Sequence, residues 1–176
     1  MALRSLLTRP GSLLALPAGA ALLVLFFLPW LSLSAVGREV ATASGRELSE
    51  GRLAGSAVTV PRDVVDARPW FWGVPGAAGL VLAVGALGTA RVLRRRPAGM
   101  VLIASSVAGA GLSLAALAVK YTDLPLVATR PTAVFWGSVA AFGFAAFCGL
   151  LEIAVSIAAG EKTAGPRTAR RRRRSS

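Results

Sequence analysis

Residues that could carry out chemistry are few in this chain of 176 residues. The sequence contains no histidine and a single cysteine, Cys148. Zinc clusters and histidine-dependent nucleophiles are therefore excluded by residue inventory, and no intramolecular disulfide can form. The eight acidic residues show no spacing that is typical of a catalytic pair. We predict a protein that is not an enzyme and that holds no cofactor or metal.

One acidic residue differs from the rest in its surroundings. Glu152 lies between two apolar stretches, residues 144–151 and 153–159. In a helix with about 3.6 residues per turn, it falls on the same stripe as Ala145 and Gly149. A carboxylate inside a membrane is a candidate for moving protons or ions, or for binding a cation of a partner.

A second interpretation of Glu152 stays open. If the helix ends near Leu151, the carboxylate lies at the membrane interface beside Arg91 or Arg94. It would then be an ordinary interfacial charge with no role in transport.

The elements that position these residues follow from the distribution of charge. The chain is 55% hydrophobic and 16% charged, which leaves too few polar groups for the surface of a soluble domain. Four intervals without charge are each long enough to cross about 30 Å of hydrocarbon. We predict an all-α integral membrane protein, a four-transmembrane-helix bundle over residues 11–160. Its spans cover about residues 12–35, 69–90, 98–119 and 132–153.

The first predicted span resembles a secretory signal because Arg4 and Arg9 precede its apolar run. That run exceeds the roughly 7–15 apolar residues of a signal peptide, which favours an uncleaved signal anchor. Cleavage near Ser34 remains the alternative, and it would leave three spans.

Basic residues are concentrated on one side of the predicted bundle. Residues 1–10, the turn Arg91–Arg96 and the disordered tail 161–176 are rich in arginine, whereas the outer loop 36–68 has balanced charge. The positive-inside rule places both termini in the cytoplasm, which makes the chain a multi-pass protein of the bacterial cytoplasmic membrane. Trp30, Trp70, Trp72 and Trp136 lie near the outer ends of the spans, as in an aromatic belt.

The outer loop is predicted to form a short extracytoplasmic cap between helices 1 and 2. Residues 40–43 and 57–60 mix β-branched with small or polar side chains, and glycines and Pro61 interrupt the loop. A small hairpin fits this pattern.

Small residues recur along single faces of the predicted third and fourth spans. Such faces allow close approach of helix backbones, either within the bundle or against a membrane partner. The predicted helix-packing residues are Gly137, Ala141, Ala145, Gly149, Ser105, Gly109 and Ser113.

The carboxyl-terminal tail contains five consecutive arginines: Arg170, Arg171, Arg172, Arg173 and Arg174. Clustered arginines beside a membrane attract anionic lipid headgroups. The tail lacks the interleaved aromatic residues and folded platform that are typical of nucleic-acid binding, so lipid is the favoured partner.

Several features together resemble small actinobacterial four-helix membrane proteins. They are Trp30, the stretch at residues 43–48, the turn Arg91–Arg96 and the Ala-Gly-Ala-Gly sequence at residues 108–111. The nearest family is that of the tryptophan-associated transmembrane proteins, from which the arginine-rich tail departs. The resemblance implies a membrane location and a four-helix architecture, and it supplies no catalytic residues.

We therefore expect a small non-enzymatic membrane protein, an accessory or scaffolding subunit of a membrane complex. The alternative is a small transporter or channel component that uses Glu152. Expected partners are a bilayer with anionic lipids and either a larger membrane protein or further copies of this chain.

Overall fold

The computed structural model describes residues 9–35, 38–50, 62–119 and 127–159, and it is mostly helical. The predictions for residues 1–8 and for the tail, including Arg170–Arg174, lie outside these ranges. Helices are α1 (Pro10–Phe26), α2 (Gly45–Glu50), α3 (Arg62–Thr89), α4 (Arg95–Ala115, continued by a 3-10 turn at Ala116–Ala118) and α5 (Ala133–Ala158). Strands are β1 (Pro29–Ala35), β2 (Arg38–Ser44) and β3 (Val127–Pro131).

Three of the helices are long and apolar enough to cross a membrane, namely Pro69–Thr89 within α3, Arg95–Ala118 and Ala133–Ala158. The fourth apolar helix, α1, has 17 residues and is shorter. The predicted membrane character is thus supported by three helices. Helix α3 begins at Arg62, and its membrane-length apolar part, Pro69–Thr89, coincides with the predicted second span at about residues 69–90. α5 extends past residue 153 to Ala158, so Glu152 lies inside a helix.

The prediction that the first span runs to about residue 35 is wrong, because its last part forms strand β1. Leu31 and Leu33 are buried whereas Ser32 and Ser34 are partly exposed, which is the two-residue alternation of a strand. β1 pairs antiparallel with β2 on one side and β3 on the other. An all-α fold is therefore corrected to a helical fold with a small sheet.

Part of the predicted cap lies in the sheet. Residues 40–43 belong to β2, as expected of a strand, and β2 pairs with β1. The prediction for residues 57–60 lies outside the described ranges. Strand β3, just before α5, completes the sheet. The sheet thus combines β1 and β2 with β3, which lies far from them in the sequence.

The four long helices pack around one another, with α1 beside α3 and α5, and α4 between α3 and α5. The sheet lies over one end of this helical unit. Trp30 is fully buried there, packed edge-on against Phe26 and Phe135, and its Nε1 donates to the carbonyl oxygen of Leu25. The hydroxyl of Thr132 donates to the Pro29 carbonyl oxygen at 2.6 Å, which joins the start of α5 to β1. This end of the molecule is termed the sheet end.

Candidate functional site

The other end of the helical unit is termed the arginine end, and it contains Glu152. It comprises the start of α1 at Arg9, the turn Arg91–Arg96 between α3 and α4, and the last turns of α5. Glu152 has no exposed surface. It is the one described acidic residue at this end, and it is entirely enclosed.

Glu152 caps the amino terminus of α1 from another helix. The backbone N–H of Ser12 donates to Glu152 Oε1 at 2.7 Å. The first turn of a helix leaves N–H groups without intrahelical partners, and here the N-cap residue Arg9 supplies no side-chain acceptor. The negative carboxylate also lies at the positive end of the α1 dipole. One observed contact therefore gives Glu152 a structural role.

The second carboxylate oxygen of Glu152, Oε2, does not cap a helix in the described part of the chain. Oε2 is buried and has no hydrogen-bond partner among the described residues. Burial of a polar atom without a partner costs free energy, so such atoms in a protein interior call for an explanation. Chemically, Oε2 could hold a proton or accept a hydrogen bond.

Arg9 binds carbonyl oxygens at the carboxyl-terminal end of α3 and in the turn that follows it. Its Nη1 donates to the carbonyl oxygen of Gly88 at 2.9 Å and to that of Leu93 at 2.6 Å. Gly88 lies in the last turn of α3, where carbonyl groups lack intrahelical partners and a cation is favoured. Arg9 and Glu152 thus attach the start of α1 to α3 and α5.

Glycines allow the helices to approach closely around Glu152. A Cβ added to Gly11 would overlap the carbonyl oxygen of Cys148, and one added to Gly88 would overlap Ser12 Oγ. Gly99 of α4 and Gly149 of α5 face each other, since a Cβ on either would lie 2.6–2.7 Å from the carbonyl oxygen of the other. The backbones themselves form these contacts.

The predicted helix-packing residues divide into two groups. Ala145, Gly149, Ser105, Gly109 and Ser113 are buried. Ala141 is half-buried, and Gly137 has open space where a Cβ would lie, so Gly137 takes no part in the close backbone contact of α5.

The buried stripe of α5 continues beyond Glu152 to Ser156. Ser156 is fully buried, and its Oγ accepts a hydrogen bond from Arg96 Nε at 3.3 Å. This contact ties the start of α4 to the last turns of α5. Glu152, one turn earlier on the same stripe, is likewise enclosed by the protein.

Sequence reasoning missed the residues that join the start of α1 to α3 and α5. They are Arg9, Gly11, Ser12 and Gly88. One signal was present, because a helix that begins Arg-Pro-Gly-Ser has Pro10 at its first position and no capping side chain before it. Such a helix needs an acceptor from elsewhere in the fold.

The sequence predicts all four tryptophans near the outer ends of the spans, and three of them are exposed at the sheet end. Trp70, Trp72 and Trp136 are each more than half exposed. Trp30 is the exception, because it is a core residue beneath the sheet and contributes nothing to an outer belt.

Within the described residues, no group of three or more His, Cys, Asp or Glu side chains is placed to hold a metal ion. A half-open cavity of about 230 Å³ lies between α3 and α4 near the sheet end, lined by residues such as Ala67, Phe71, Leu112 and Val119. Its lining is apolar and offers no group for acid–base chemistry. Comparisons with known protein families and with curated proteins found no match to this chain.

Proposed function

We propose that this chain is a non-enzymatic, multi-pass protein of the bacterial cytoplasmic membrane that serves as an accessory or scaffolding subunit of a larger complex. The observation that carries the proposal is an interior closed by direct backbone contacts, such as Gly99 against Gly149, beneath an apolar exterior. A closed interior leaves the outer surface as the place for function.

The exterior suits a lipid environment. Large apolar side chains are exposed along the membrane-length helices, among them Leu80, Met100, Val107, Phe147 and Leu150. In water such a surface would be an aggregation hazard, whereas in hydrocarbon it is the expected lipid contact.

We propose that α1 is the fourth span despite its length. Its 17 residues cover about 25 Å at about 1.5 Å per residue, close to the thickness of the hydrocarbon core. Phe27 and Leu28, which follow it, are exposed and apolar. Arg9 at its start and the sheet at its end then lie near the two interfaces.

We further propose that the arginine end faces the cytoplasm and the sheet end faces outward. Arg9, Arg91, Arg94, Arg95 and Arg96 lie together at the arginine end, as the positive-inside rule requires of a cytoplasmic side. The resemblance to the tryptophan-associated transmembrane proteins agrees with this architecture and stays a prediction.

A transport role for Glu152 is the second candidate, and its unpartnered Oε2 is the observation that favours it. Against it stands the core between Glu152 and the sheet end, where one apolar layer includes Ala15, Val81 and Leu102. The buried hydroxyl of Ser105 bonds back to its own helix. A hydrophobic carbodiimide, which reacts with protonated carboxyls in apolar surroundings, should modify Glu152 if it exchanges protons, and should leave it unmodified if it only caps α1.

The leading proposal predicts a reproducible larger partner. The full-length tagged protein should be crosslinked in native membrane and purified, with its partners identified by mass spectrometry. Gly76→Leu and Gly143→Leu enlarge exposed faces of α3 and α5 where a Cβ meets nothing within 4 Å, so neither should disturb the fold. Loss of the partner in one variant would identify the docking helix. Recovery of homo-oligomers alone, or of no partner, would contradict an accessory role.

A further inference from the structure

The turn Arg91–Arg96, termed the arginine turn, combines two features that the proposed scaffold role does not use. Arg91 and Arg94 are exposed, and Arg95 and Arg96 are partly exposed. Glu152 is the acid that the described residues contribute to this end, and it is fully buried, so the charged side chains that the described residues expose here are arginines. Such a surface favours an anion.

An apolar side chain projects from the middle of the same turn. Val92 is 69% exposed, the largest value among the exposed apolar residues, and Met100 is 60% exposed about one turn into α4. Arginines flanking an exposed apolar residue form the pattern of a segment at the lipid interface, where the apolar group enters the acyl region and the cations reach headgroups.

The backbone of the turn has a left-handed conformation at Arg91, a conformation that glycine adopts more readily than arginine. Arg91 has a φ of 61°, in the left-handed region, and the N–H of Val92 donates to the Leu87 carbonyl oxygen at 2.9 Å. A residue that ends a helix in this conformation is usually glycine, because a Cβ there is strained. Arginine at this position therefore carries a backbone strain that glycine would avoid.

We infer that the arginine turn is a binding site for the phosphate of an anionic phospholipid, with Val92 and Met100 against its acyl chains. The inference rests on the proposed membrane location. Guanidinium groups bind phosphate oxygens with paired hydrogen bonds, and each cation near an anionic surface adds to the affinity. The residues of this site are distinct from the tail arginines Arg170–Arg174, which lie outside the described ranges.

The test uses the full-length protein in neutral detergent, with Arg170–Arg174 replaced by glutamine in every variant so that the tail does not contribute. Phosphatidylglycerol and phosphatidylcholine are titrated separately, and bound lipid is counted by native mass spectrometry. Arg91→Gly and Arg94→Gln should each weaken phosphatidylglycerol binding about fivefold and leave phosphatidylcholine binding unchanged. Arg130→Gln, an exposed cation at the sheet end, is the matched control.

Arg91→Gly distinguishes a loss of lipid binding from a loss of folding, because it should lower the lipid affinity without lowering the melting temperature. Glycine relieves the left-handed strain, so the melting temperature without anionic lipid should rise or stay constant while lipid affinity falls. Unchanged affinity in both arginine variants, or an equal loss in the control, would overturn the site. Displacement of the lipid by inorganic phosphate at equal concentration would overturn its assignment to lipid. Extraction of the protein from native membranes by alkaline carbonate would instead count against the proposed membrane location.

Discussion

At the scale of single residues, Glu152 shows how a buried acid can be retained for assembly. Its Oε1 accepts from the N–H of Ser12, and Arg9 donates to the Gly88 carbonyl oxygen at the end of α3 and to that of Leu93 in the turn that follows. Opposite charges at opposite helix ends are favourable to both dipoles. The start of α1, which would otherwise carry unsatisfied backbone groups into the packed interior, is held by two polar contacts.

Loss of the whole Glu152 carboxylate should therefore lower the free energy of unfolding more than loss of its charge alone. Glu152→Ala leaves the Ser12 N–H buried and unsatisfied, and we expect a loss of about 1–3 kcal/mol in the free energy of unfolding. Glu152→Gln keeps an oxygen acceptor of the same shape and should lose less. Unfolding in mild detergent, followed by tryptophan fluorescence, measures both. Equal stability of the alanine variant and the unmodified protein would show that the cap has no energetic role.

The sequence could place Glu152 on a packed stripe but could not name its partner. Its apolar flanks and its spacing from Ala145 and Gly149 are periodic features, and the structure buries all three together. Ser12 lies 140 positions away along the chain. Contacts at such a distance depend on how helices pack, which helical periodicity does not specify.

At the scale of elements, β1 is the segment where the hydrophobic pattern predicts a membrane helix and the structure has a strand. The interval without charged residues continues past Phe26. The absence of charge therefore predicts one long span where the structure has a helix followed by a strand. The alternation of Leu31 and Leu33 with serines was a strand signal within that interval. Only the pairing with β2 and β3 turns this short alternation into a stable strand, and that pairing is not local.

The contact between α4 and α5 should be sensitive to side-chain size at one position and tolerant at its neighbour. Gly149→Leu forces a side chain against the Gly99 carbonyl oxygen and should lower the melting temperature in detergent markedly. Leu150→Phe, on the exposed face, and Gly137→Leu, where there is open space, should change it little. Comparable destabilisation by all three variants would contradict the observed packing.

At the scale of the whole molecule, charge is divided between the two ends. Glu39, Glu47, Glu50 and Asp66 all lie toward the sheet end, whereas the arginine end exposes no acid among the described residues. The ion pair between Arg46 and Glu50, at 2.9 Å, is also at the sheet end. The positive-inside rule depends on cations near the spans, so the arginines at the arginine end are the basis of the orientation that we propose.

Labelling of single cysteines from either side of the membrane tests that orientation. Ala128→Cys lies in β3 at the sheet end, and Ala159→Cys follows α5 at the arginine end, both at exposed positions. An impermeant maleimide added to intact cells should label the first, and should label the second only after permeabilisation, because the proposed orientation places the arginine end in the cytoplasm. The unmodified protein is the control, since its Cys148 is fully buried and should not react. Labelling of Ala159→Cys in intact cells, with Ala128→Cys protected, would reverse the assignment of the sheet to the outer side and would move the arginine turn away from the cytoplasmic leaflet.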